Sequence, residues 1–183
     1  MSQAALEEPP VKSRPEFPQR IPRPSSKLQQ VSRVSDRDYD IFLASAFEPE
    51  ADPGCEKNFS LYDAIGKRLE SRLEKRVFIP YKEIDLSLNP RETYKIIESS
   101  INRSRLVVAD LEVESIAVGS MLSLAARNHR KPIIYFHPES IRPDPNAEGG
   151  IQFEAPRYWK VAYKNQAQAL DMIEKAAREF FRQ

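Results

Sequence analysis

Between Tyr39 and Tyr163 the chain alternates short apolar runs with amphipathic stretches, and no other feature constrains its fold as tightly. The runs are YDIFLA (39–44), VFIPY (77–81), RLVVADL (105–111), PIIYFH (132–137) and WKVAY (159–163). They are rich in β-branched and aromatic residues and little interrupted by polar ones, the pattern of strands buried on both faces. The stretches between them repeat at the helical period. FSLYDAIGKRLESRLEK (59–75) places Leu61, Ile65, Leu69 and Leu73 on one face, and PRETYKIIESSINRS (90–104) starts on a proline and carries a stripe of Tyr94, Ile97 and Ile101. AVGSMLSLAARNH (117–129) and the closing NQAQALDMIEKAAREFFRQ (165–183) complete the series. Such alternation predicts an α/β protein: a flavodoxin-like (Rossmann-like), five-stranded, mainly parallel sheet with helices on both faces.

Residues 1–37 are another material. They are rich in proline, arginine and serine, with isolated apolar residues at no fixed period, so they cannot bury enough surface to offset chain entropy. The expected organisation is a disordered tail over 1–37 and one domain over 38–183. Within the tail, PQRIPRP (18–24) suits a polyproline II helix in the aromatic groove of a protein partner. A formal net charge of +1 gives no electrostatic push toward nucleic acid or a membrane surface. The single cysteine, Cys55, forms no internal disulfide, and neither a signal peptide nor a long apolar run is present, so a cytoplasmic location is expected. No phosphate-binding glycine motif is found, and His129 and His137 are too isolated for a metal site; neither cofactor nor metal is expected.

Open parallel sheets bind ligands beyond the carboxyl ends of their strands, where the strand order reverses. For a flavodoxin-like order the loops that meet there are 44–58 and 112–119. The segment 138–158 leaves the fourth strand at the same edge, and its length marks it as a lid or an interface element. In the second loop, Ser115 can cap the following helix through its hydroxyl, and amides near Ala117 to Gly119 can point at an anion. Equally, Ser115 can be a plain cap and Gly119 a packing residue.

FLASAF (42–47), SRLVVADLEVESIAVGSMLSLAARNHRKPIIYF (104–136) and FHPESIR (136–142) resemble the nucleoside 2-deoxyribosyltransferase superfamily, above all its 2'-deoxynucleoside 5'-phosphate N-hydrolase branch. The resemblance covers about residues 39–142. It implies a flavodoxin-like fold, a nucleoside or nucleotide ligand held by Ser45, Ser115 and Gly119, and a homodimer paired across helices beside the site. It also implies cleavage of an N-glycosidic bond by a glutamate that attacks the anomeric carbon. The exposed Tyr, Phe and Leu content of 59–75 and 90–104 is compatible with such pairing.

The chain departs from that pattern where the chemistry would sit. The nucleophile position is Met121, and a thioether cannot replace a carboxylate. Met121 also completes an i, i+3, i+4, i+7 stripe with Val118, Leu122 and Ala125, which suits core packing. An aspartate position falls at Ile97, with Glu98 next to it but turned about 100° around the helix. A basic position falls near Phe47, followed by Glu48, Glu50 and Asp52, which repel a dianion. Glu114, Glu112, Asp110, Glu98 and Asp63 are candidate substitute acids, with Glu114 best placed in the loop. The expected function is therefore binding of a nucleoside or nucleotide at the switch-point crevice, with bond cleavage or transfer lost. As an alternative, DYDIFLASAF with ETYKIIESSINRSRLVV resembles a Toll/interleukin-receptor-type domain. Its enzymatic versions also need a glutamate in the helix after the third strand, so that reading implies an interaction module without catalysis.

Overall fold

The computed structural model describes residues 38–47, 55–85, 87–112 and 115–183. Five strands, β1 (Ile41–Ala44), β2 (Val77–Phe78), β3 (Leu106–Asp110), β4 (Ile133–Pro138) and β5 (Tyr158–Tyr163), form one sheet. Every neighbouring pair is parallel, and the order is β2-β1-β3-β4-β5. A 3-10 turn (Cys55–Asn58) leads into α1 (Phe59–Leu73). The remaining helices are α2 (Pro80–Glu83), α3 (Pro90–Arg103), α4 (Ile116–Ser123), α5 (Pro145–Glu154) and α6 (Gln166–Phe181). No described helix is long and apolar enough to cross a membrane.

The central strands read as unbroken apolar runs because both of their faces are covered. Phe42, Ala44, Val107, Ala109, Ile133 and Tyr135 belong to the core beneath α3, α4 and α5. Their alternates Ile41, Leu43, Leu106, Val108, Ile134 and Phe136 belong to the core beneath α1 and α6. Each fully buried valine, leucine, isoleucine or phenylalanine among them contributes about 1.5–3 kcal/mol, so the two layers outweigh any single polar contact. β2 is shorter than its apolar run. Pro80 has no amide for the ladder and opens α2 instead, its fixed φ suiting a first helical position.

The segment 138–158 is built into the fold: α5 packs Ile151 into the core beside α4, where a lid would be free to move. Two helix starts bordering the crevice are capped by their own side chains. Asp144 Oδ1 accepts from the Asn146 amide at 3.0 Å, with Pro145 at the first position, and Ser115 Oγ accepts from the Val118 amide at 3.3 Å. α4 ends in a π-helical turn (Leu124–Asn128), and Arg130, with φ at 51°, swings the chain back toward β4. Of the aromatic and leucine side chains on α1 and α3, only Tyr94 is exposed, at 47%. The other aromatic and leucine side chains of these helices are buried or half-buried.

Candidate functional site

The strand order reverses between β1 and β3, so the carboxyl ends of these two strands define the switch point. Asp110, the last residue of β3, lies there, 1% exposed. Tyr62 Oη on α1 donates to its Oδ2 at 2.6 Å and Asn58 Nδ2 to the same oxygen at 3.3 Å, while the Glu112 amide donates to Oδ1 at 2.8 Å. Burial pushes the Asp110 carboxyl up to about 6, against the three hydrogen bonds, which favour the ionised form. Burial and the adjacent Asp110 charge also hold the Tyr62 phenol far above its ordinary value. Glu112 in turn accepts from Tyr163 Oη at 3.3 Å and pairs with Lys57 Nζ at 3.4 Å. These groups tie the 3-10 turn, α1, β3 and β5 together.

Two cavities open beside this knot. The larger, about 740 Å³, is a crevice between α4 and the start of α5, bordered by Ser115, Gly119, Ser120, Ser123, Leu111 and Asp144. The smaller, about 170 Å³, is lined by Phe47, Pro90, Tyr94, Ile97, Met121 and Leu124. Ser120 borders both. The three departures from the resembled pattern, Phe47, Ile97 and Met121, thus come together on one apolar surface. Met121 is 1% exposed and belongs to the core with both of them.

The candidate ligand residues divide. Ser115 and Gly119 share the crevice, and a Cβ at Gly119 would meet nothing within 4 Å, so neither packing nor backbone conformation demands a glycine there. Ser45 borders neither cavity; its hydroxyl is buried with no hydrogen-bond partner among the described residues. Glu98 is half-buried on α3 and borders neither cavity. Asp63 is engaged by the Tyr81 hydroxyl and by Lys82 Nζ, the latter at 2.6 Å. Glu114 lies outside the described residues, as do the tail 1–37 and the acidic segment 48–54. His129 and His137 each bury an unpartnered Nε2, and no group of three metal-ligating side chains is found among the described residues.

Ser120, Ser123 and Asp144 were not singled out from the sequence. The Asp144–Pro145 pair is a helix-start signal that could have placed Asp144 at this edge. Chemically, the crevice offers hydroxyls, one carboxylate and the start of α4 at Ile116, whose amide has no partner within the helix. This set can hold a polar ligand. Within it the Ser115 hydroxyl accepts from the Val118 amide, and among the described residues no hydrogen bond joins a crevice hydroxyl to Asp144.

No family model and no curated protein matches the chain. Among solved structures, the Clostridium botulinum CMP N-glycosidase BcmB superposes with a TM-score of 0.58 at 15% identity, over 74% of this chain and 98% of that one. BlsM, solved in solution, superposes with a TM-score of 0.59 at 22% identity, over 78% of this chain and 91% of that one. Both likenesses are of fold: a five-stranded, all-parallel sheet with helices packed against it.

Proposed function

We propose that the chain binds a nucleoside or nucleotide in the crevice between α4 and α5 and does not cleave its N-glycosidic bond. The observation that carries this reading is the convergence of Phe47, Ile97 and Met121 on one apolar cavity next to the crevice. Where attack on an anomeric carbon needs an ionised carboxylate, these residues supply two hydrocarbon side chains and a thioether. Asp110 does not replace it, because it is enclosed by its own donors and borders neither cavity. The crevice volume falls within the range of about 300–1,000 Å³ usual for small-ligand sites. Its hydroxyls match sugar hydroxyls, and Asp144 can accept from them. The likeness in fold to a CMP N-glycosidase supports a nucleoside class of ligand.

Incubating the protein with nucleosides, deoxynucleotides, CMP and NAD, with chromatography for free base and calorimetry for binding, tests both halves. The expected result is heat of binding for at least one nucleoside or nucleotide and no released base. Base release by the native chain overturns the non-cleaving half, and no binding across the panel overturns the other.

A further inference from the structure

The formal charge of +1 is a sum over the whole chain, residues 1–37 included, and does not say how charge is divided between the two ends of the sheet. At the amino edge, opposite the crevice, basic residues lead into four of the five strands: Arg76 before β2, Arg105 before β3, Lys131 just ahead of β4 and Arg157 before β5. The backbone aligns them. Arg76 and Arg105 are joined through Asp40, whose amide donates to Arg76 O at 3.0 Å and whose carbonyl accepts from the Arg105 amide at 2.9 Å. Pro132 O accepts from the Val107 amide and Arg157 O from the Ile133 amide, each at 3.0 Å, which sets the β4 and β5 entries beside Arg105. With neighbouring strands about 4.8 Å apart, the row is roughly 19 Å long.

Arg103, at the end of α3, and Arg130, in the turn before β4, stand beside the row and are exposed. Lys131 Nζ reaches Asn102 O at 2.7 Å, which ties that end of α3 to the row. Among the described residues no ion pair joins Arg76, Arg103, Arg105 or Arg130 to a carboxylate. Of the nearby acids Asp38, Asp40, Glu74 and Glu179, two are already engaged: Asp40 by Lys75 at 3.8 Å and Glu179 by Arg157 at 2.8 Å.

Aromatic rings interleave with these cations. Lys75 Nζ and the Arg105 guanidinium lie 5.1 and 5.2 Å from the Phe181 ring centre, and the Arg157 guanidinium lies 4.5 Å from that of Trp159. Two further rings are open to solvent: Phe153 near the end of α5, 90% exposed, and Tyr158 at the start of β5, 42% exposed. Guanidinium groups form paired hydrogen bonds to phosphate oxygens, and every nucleic-acid base presents a π-face to an exposed ring.

We propose that the amino edge of the sheet binds a single-stranded nucleic acid, with Arg76, Arg103, Arg105 and Arg130 on phosphates and Phe153 and Tyr158 stacking on bases. An anionic membrane fits less well. Among the described residues the one large aliphatic side chain that is exposed, Ile116, lies at the start of α4 at the opposite edge, whereas surface-seated helices bury an aliphatic face. The site is independent of the crevice and of any ligand bound there.

Fluorescence anisotropy of a short labelled single-stranded RNA or DNA against the full chain, across a salt series, tests this. The native chain is expected to bind at low salt. The combined variant Arg76→Glu, Arg103→Glu, Arg130→Glu is expected to bind at least tenfold more weakly. Its slope of log affinity against log salt should fall by about 2, since each single-strand phosphate contact contributes about 0.7. Phe153→Ala should weaken binding with the slope unchanged. If circular dichroism shows the combined variant unfolded, Arg103→Glu and Arg130→Glu are read singly, each expected to lower the slope by about 0.7. Three results overturn the proposal: no oligonucleotide binding, variants that bind as tightly as the native chain, or capture by anionic lipid vesicles with oligonucleotides ignored. The second of these would assign binding to the basic residues of 1–37 instead.

Discussion

Met121 is held by packing, and its surroundings decide what a carboxylate there could do. Enclosed with Phe47, Ile97 and Leu124, a glutamate side chain would keep its proton at neutral pH, because burial penalises the charged form. Met121→Glu is therefore expected to leave glycosidic bonds intact and to lower stability by on the order of 3 kcal/mol, read by base release and denaturant titration. Cleavage by that variant would mean that the cavity opens to water and that the site is one residue short of activity. Asp110 carries a second residue-scale prediction. Its folded pKa of about 6 lies above the ordinary 3.8, so the folded chain holds the proton more tightly than the unfolded chain does. The stability this contributes is complete below about pH 4 and is lost as the pH rises through about 6, a change on the order of 3 kcal/mol. Asp110→Asn should flatten the fall in unfolding free energy over that interval, and an unchanged slope in denaturant titrations would contradict the assignment. Met121 was legible as a core residue from its spacing, whereas its match to a nucleophile position came only from the family resemblance. Asp110 was legible only as one acid among five, because its partner Tyr62 lies 48 residues away and only the fold brings them together.

At the scale of elements, periodicity located α1, α3, α4 and α6 and all five strands, because each carries an apolar stripe or run that the core must cover. It did not locate α5. Asp144 and Pro145 announce a helix there, but Gly149 and Gly150 carry a poor propensity that tertiary packing of Ile151 overrides. A Cβ at Gly149 would meet nothing within 4 Å, and the residue is exposed. Gly149→Ala should accordingly raise stability by about 0.5–1 kcal/mol, measured by denaturant titration. A loss would show that close approach at this face matters more than backbone entropy. α5 also forms the far wall of the crevice, so its omission from a sequence reading hides Asp144 from the site. β2 was read too long for the converse reason: Ile79, Pro80 and Tyr81 are apolar enough to extend a strand, yet the proline turns the chain into α2.

For the whole molecule, the sheet order places the crevice at one end of the strands and the basic row at the other, with two apolar layers between. That order was legible because strand–helix alternation admits few right-handed arrangements. The division of charge was not, since a sum over residues cannot say at which end of a strand each one lies. The pairing of two copies implied by the family resemblance draws on little exposed apolar surface of α1 and α3, with Tyr94 the main contributor. The central claim is that the crevice receives a nucleoside-type ligand and leaves it whole. An NMR titration of isotope-labelled protein with CMP, followed over time, reads both parts at once. The amide resonances of Ser115 to Gly119 should shift while no signal of free cytosine grows; unmoved amides, or free cytosine accumulating above a protein-free control, would contradict it.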